Sequence, residues 1–201
     1  MVCVLILLMV TAFASCKKTE QTPEPSQTTT TTETTTEEDL GPTLSPAESK
    51  SKIVGTWVYD ETISAQNFYG DYYNEKITKN NVQMRTTYKF NNDGSYSTSV
   101  TIENITDVRK EYRSLMVEGA RRNVEKEGKF LTTDDVIYYE KYADDILKNI
   151  CKTTKGTYKI DGNKLNYSDG TTEKFVIDGK QLTIKGSTQE NGEYKIVLKR
   201  K

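Results

Sequence analysis

Apolar and polar residues alternate with period 2 in two blocks of this chain, and between the blocks the spacing lengthens to that of a helix. In the first block Val82, Met84, Thr86, Tyr88 and Phe90 alternate with Gln83, Arg85, Thr87 and Lys89. After Asn92-Asp93-Gly94 a second alternation places Tyr96, Thr98, Val100 and Ile102 on one side. Residues two apart share a face of a strand, and Asp-Gly takes a tight turn without strain, so the segment reads as a β-hairpin. Upstream, Ile53, Gly55, Trp57 and Tyr59 share one face of a further strand that carries the only tryptophan. The second block begins at Lys155. It pairs Tyr158 with Ile160, Leu165 with Tyr167, Phe175 with Ile177 and Leu182 with Ile184, and ends on Tyr194, Ile196 and Leu198. Asx-Gly pairs at Asp161-Gly162, Asp169-Gly170, Asp178-Gly179 and Asn191-Gly192 separate these runs where hairpins need them. The count is about eight antiparallel strands in sequence order, enough to curl into a closed up-and-down barrel with no exposed edge.

Between the blocks, at about residues 106–151, the pattern predicts a pair of helices inserted between the third and fourth strands. Thr106 or Asp107 caps the first, where Val108, Tyr112, Leu115, Met116, Gly119 and Ala120 recur at spacings of three and four, and Gly128 ends it. Thr132 or Thr133 with Asp134-Asp135 opens the second. There Val136, Tyr139, Ala143, Ile146, Leu147 and Ile150 form one stripe, opposed by Lys141, Asp144, Asp145 and Lys148 as a solvated face. The stretch from Asp60 to Asn81 loses period 2 yet holds Phe68, Tyr69, Tyr72 and Tyr73 around Gly70. Long ordered connections are often lids or binding loops, so these four rings are the candidate ligand contacts; the alternative is that they complete the core.

Composition changes the picture mainly at the N-terminus. Met1 to Ser15 is an uncharged apolar run ending in small residues, too short to cross a bilayer as a helix and of the size of a signal-peptide core. Residues 16–51 are rich in Thr, Glu, Pro and Ser, with almost no side chains to bury, and read as a disordered tether. The folded domain then spans 52–201. Net charge is −1 and the isoelectric point about 5.7, which argues against a nucleic-acid partner held by a basic surface. Histidine is absent, which removes His-based metal sites and His-containing catalytic triads. Cys3 and Cys16 lie in the leader region and Cys151 stands alone after an apolar helical stripe, where a small buried hydrophobe is the expected role. No nucleophile–base pair, metal-ligand spacing or phosphate loop is present, so the sequence points to a protein that is not an enzyme and needs neither metal nor cofactor.

Ala14-Ser15-Cys16 resembles a bacterial lipoprotein signal, which implies that Cys16 becomes the lipidated N-terminus and that the protein is anchored in the cell envelope. The Thr-rich tail after it is similar to those of Bacteroidetes-type lipoproteins. The body from Lys52 onward resembles a bacterial lipocalin-like (calycin) domain in Val54-Gly55-Thr56-Trp57, in Tyr88-Lys89-Phe90-Asn91-Asn92-Asp93-Gly94-Ser95-Tyr96, and in Gly156-Thr157-Tyr158-Lys159-Ile160 with Lys164-Leu165. That resemblance implies a tryptophan closing one barrel end beneath a basic side chain from the last strand. Arg200 has the parity of Tyr194, Ile196 and Leu198, so it is placed to stack on Trp57. The resulting expectation is an envelope lipoprotein whose barrel takes a small apolar ligand. The competing one is an interaction module with a filled barrel that docks a protein partner.

Overall fold

The computed structural model describes residues 45–188 and 192–201. The leader, Cys16, the tether up to residue 44 and the Asn191 turn position lie outside the described residues. A short helix α1 (Pro46–Ile53) leads into β1 (Gly55–Ile63). A helical turn α2 (Ala65–Tyr69) and a 3₁₀ turn (Gly70–Tyr72) connect it to the hairpin β2 (Val82–Phe90) and β3 (Ser95–Ile102). The helices α3 (Ile105–Glu125) and α4 (Thr133–Ile150) follow. Then come β4 (Thr154–Asp161), β5 (Lys164–Tyr167), β6 (Thr172–Asp178), β7 (Gln181–Thr188) and β8 (Gly192–Arg200).

The eight strands form a closed barrel in sequence order, antiparallel at every step. Closure is made by β8 on β1, with Trp57 opposite Arg200 and Val58 opposite Lys199. The helical pair is inserted between the third and fourth strands, as the change of period predicts. Its start lies two to three residues earlier than expected, Asn104 preceding the first turn rather than Thr106 or Asp107. Thr132 caps α4 in a reciprocal capping box with Asp135.

Two departures from the pattern have local causes. Residues 46–51, expected to belong to the disordered tether, and Ile53, expected on the face of the first strand, instead lie in α1: Ser45 and Glu48 cap that helix reciprocally and Pro46 occupies its first turn, so the segment before Val54 is helical. The Asp60–Asn81 connection carries α2, whose start is fixed by the Ser64 side chain accepting from the Asn67 amide.

The inward face of the strands is divided between two apolar clusters. At the Trp57 end the barrel interior is packed by Trp57, Tyr88, Phe90, Tyr158, Leu165 and Leu198 among others, with Ile53 of α1 buried against them. At the opposite end Val82, Met84, Val100 and Ile102 have the same parity but pack against Phe68, Tyr69, Val108, Tyr112, Leu115 and Leu147. The insertion therefore lies over the inner face of β2 and β3, at the end remote from the tryptophan. Asp144, expected on a solvated face, is half-buried and turned toward α3, where it accepts from Arg113 Nε at 2.9 Å and lies 3.6 Å from Arg109.

Candidate functional site

The closed end of the barrel brings Trp57 and Arg200 together. Trp57 is fully buried, and its indole N–H donates to the Ile53 carbonyl at 2.7 Å. The Arg200 guanidinium sits 5.1 Å from the indole centroid and donates to the Val54 carbonyl at 2.6 Å. Gly55 makes this approach feasible: its φ of +141° suits no side chain well, and a Cβ there would lie 3.1 Å from Arg200 Nη2. The indole N–H and one guanidinium donor are thus spent on the protein's own backbone carbonyls, and the pair closes this end of the barrel.

Farther along, the interior is also occupied by the protein's own groups. Glu173 is almost fully buried on β6, with the inward parity of Phe175 and Ile177. It accepts from Tyr167 Oη at 2.6 Å and from Tyr194 Oη in a shorter contact. Burial, with Glu173 nearby, pushes the Tyr167 phenol well above its usual range, so it stays a protonated donor. The Tyr194 ring crosses over Gly186, its partner on β7, where any Cβ would collide with it. Tyr96 stacks against Tyr167 with centroids 4.9 Å apart, and Phe90 meets Tyr158 edge-on at 5.1 Å. Sequence reasoning passed over Glu173 and Gly186. The available signal was parity, since both fall at inward positions among hydrophobic residues.

The four aromatic residues singled out as ligand contacts are divided by the structure. Phe68 and Tyr69 are buried, with Tyr69 5.1 Å from Phe68 and 5.5 Å from Tyr112 between ring centroids. The Tyr69 hydroxyl donates to the buried Glu111 carboxylate at 3.1 Å, which also accepts from the Lys79 amide and Asn80 Nδ2. These two rings therefore fill the helical core. Tyr72 is half-buried and Tyr73 exposed.

Tyr72 forms one wall of a cleft of about 570 Å³ between the 3₁₀ turn and the C-terminal half of α3. Its floor is Leu115 and Gly119, and its rim is Asp71, Arg122, Asn123, Glu125 and Lys126. Such a volume is that of a small-molecule site. Burial, then Tyr142 and Asp71, raise the Tyr72 phenol, which keeps it a neutral donor at neutral pH. A second cleft of about 310 Å³ runs over β1 and β2, but its one cation, Arg85, is already held by Asp60 at 2.6 Å and Glu103 at 3.2 Å.

Cys151 caps α4 half-buried, and burial pushes its thiol up, away from reactivity. Among the described residues no three Cys, Asp or Glu side chains are grouped to hold a metal ion, and no helix is long and apolar enough to cross a membrane. Large apolar side chains are exposed on the insertion, Phe130 most of all at 88%, with Ile137 and Tyr138. The molecule thus falls in the class of closed eight-stranded up-and-down barrels carrying a helical insertion. No protein-family model matches the chain, and comparison with curated proteins and with solved structures finds no match.

Proposed function

We propose that this protein is a lipid-anchored, lipocalin-like module of the bacterial cell envelope that binds its target through the helical insertion, with the barrel as a filled scaffold. The observation that carries the reading is the division of the inner face. One end is packed by Trp57, Phe90 and the Tyr167–Glu173–Tyr194 network, the other by the helices, while the cleft at Tyr72 remains open. Packing of this kind argues against the apolar luminal ligand expected from sequence, because such a ligand would have to displace well-packed rings and break the hydrogen bonds of a buried carboxylate. The anchor rests on Ala14-Ser15-Cys16 and the Thr-rich tail that follows it.

A lipophilic probe tests the filled barrel. cis-Parinaric acid accepts energy from tryptophan, and Trp57 is the sole donor of that kind. The reading expects no saturable transfer from Trp57. Saturable one-to-one transfer that persists when the external cleft is filled by Gly119→Phe would place the ligand in the lumen and overturn the reading.

A further inference from the structure

Gly119 sits well inside α3, where glycine is the poorest ordinary residue for a helix, and nothing lies within 4 Å of the Cβ it lacks. Close packing therefore does not account for it. What the missing side chain does is deepen the cleft beside Tyr72, so that the ring wall and the Leu115 floor meet at an open base. Leu115 is 1% exposed and belongs to the helical core, which makes the floor rigid.

The rim narrows the chemistry. It carries two carboxylates, Asp71 and Glu125, and two cations, Arg122 and Lys126, so its net charge is zero. Asp71, Asn123, Glu125 and Lys126 make no side-chain hydrogen bond or ion pair among the described residues, and Arg122 only reaches Glu118 at 3.8 Å. Donors and acceptors are thus both present around an apolar floor and one aromatic ring. A carboxylate or phosphate ligand would set its charge among two carboxylates as well as two cations and gain no net attraction from the rim, and a purely apolar one would strip water from five polar side chains without replacing their hydrogen bonds. A ring with an apolar face and hydroxyls around its edge meets both needs: its C–H face covers Tyr72 and Leu115, while each hydroxyl both donates and accepts.

We propose that the cleft between Tyr72 and α3 is a binding site for a neutral, polyhydroxylated ring ligand, a saccharide unit, with Gly119 as the residue that makes room for it. The proposal rests on the reading that recognition lies on the insertion, and it adds the ligand class. Open to solvent on its outer side, the cleft suits one unit of a longer chain whose other units stay in water.

The test is a binding screen of the full chain on an array of neutral, sulfated and sialylated glycans, followed by calorimetry of the best neutral oligosaccharide. A Kd of about 1 mM or tighter is expected for at least one neutral glycan, as for a shallow single-unit site. The Cβ position of Gly119 is clear of other atoms to 4 Å, so Gly119→Phe starts without a clash and its ring extends into the cleft against the lining; it should weaken that glycan at least tenfold while circular dichroism and Tm stay at or above the parent values. Tyr72→Ala should weaken it about tenfold. If acidic glycans, or a zwitterionic amino acid used as a control, bind and neutral glycans do not, the ligand class is overturned. If a neutral glycan binds with unchanged Kd in Gly119→Phe, the location falls, and with it the reading that the insertion is the recognition element.

Discussion

Trp57 and Arg200 illustrate how a single side chain can close one end of a barrel. The indole is fully buried, its N–H is used by Ile53, and the guanidinium seals it from outside. Truncation leaves a cavity the size of a bicyclic ring, so Trp57→Ala is expected to destabilise the domain by about 3–5 kcal/mol in urea unfolding. A loss under about 1 kcal/mol would mean that the indole contributes no core. The expectation of this pairing came from the resemblance to lipocalin-like domains, and parity along β8 then singled out Arg200 as the inward-pointing basic residue. The Glu173 network was not legible, because a carboxylate among Phe175 and Ile177 looks like an error in the alternation until two phenols from β5 and β8 are seen to reach it. Tyr194→Phe removes one of them and is expected to destabilise by about 1–3 kcal/mol, with Gly186→Ala similar in direction because its Cβ displaces the same ring. Equal stability of Tyr194→Phe and the parent would show that Glu173 is satisfied without it.

At the scale of elements, the strands and helices were readable because each carries a period and ends on a residue with a mechanism: Asp93-Gly94 for the hairpin, Thr132 with Asp135 for α4. The Asp60–Asn81 connection was not, since α2 is only five residues long and is held by tertiary contacts of Phe68 and Tyr69 with Tyr112 rather than by its own pattern. For the same reason the four-ring cluster could not be divided in advance into core and surface. The two long helices are tied by Arg113 and Arg109 on Asp144. The Arg113 guanidinium holds the Asp144 carboxyl below its ordinary value. A depressed folded pKa adds stability that is fully present above the unfolded value, about 3.9, and is lost as pH falls through the folded one. Both partners are partly exposed, so solvent screens the pair and its contribution is small. Asp144→Asn should therefore be less stable than the parent at pH 7 and indistinguishable from it near pH 2. A difference that persists at the acid end would assign the effect to packing instead of charge.

For the whole molecule, the barrel class followed from the strand count and turn chemistry, whereas the packing of the interior did not: period 2 says which residues point inward and nothing about which of them meet in the middle. The proposed lipid anchor at Cys16 is tested at this scale too. Cys16→Ser should move the protein from the membrane fraction to the soluble fraction, and retention in membranes after a high-salt wash would refute the lipid attachment. The central claim is that the barrel is scaffold and the insertion is the recognition surface. Amide-resolved NMR of the labelled chain, titrated in parallel with a neutral oligosaccharide and with laurate, locates binding residue by residue. The account predicts glycan-induced shifts confined to Tyr69–Tyr73 and Leu115–Lys126, with the strand amides of Tyr167, Glu173 and Ile184 unmoved by either compound. Saturable laurate-induced shifts at those three interior positions would contradict it and restore a luminal site.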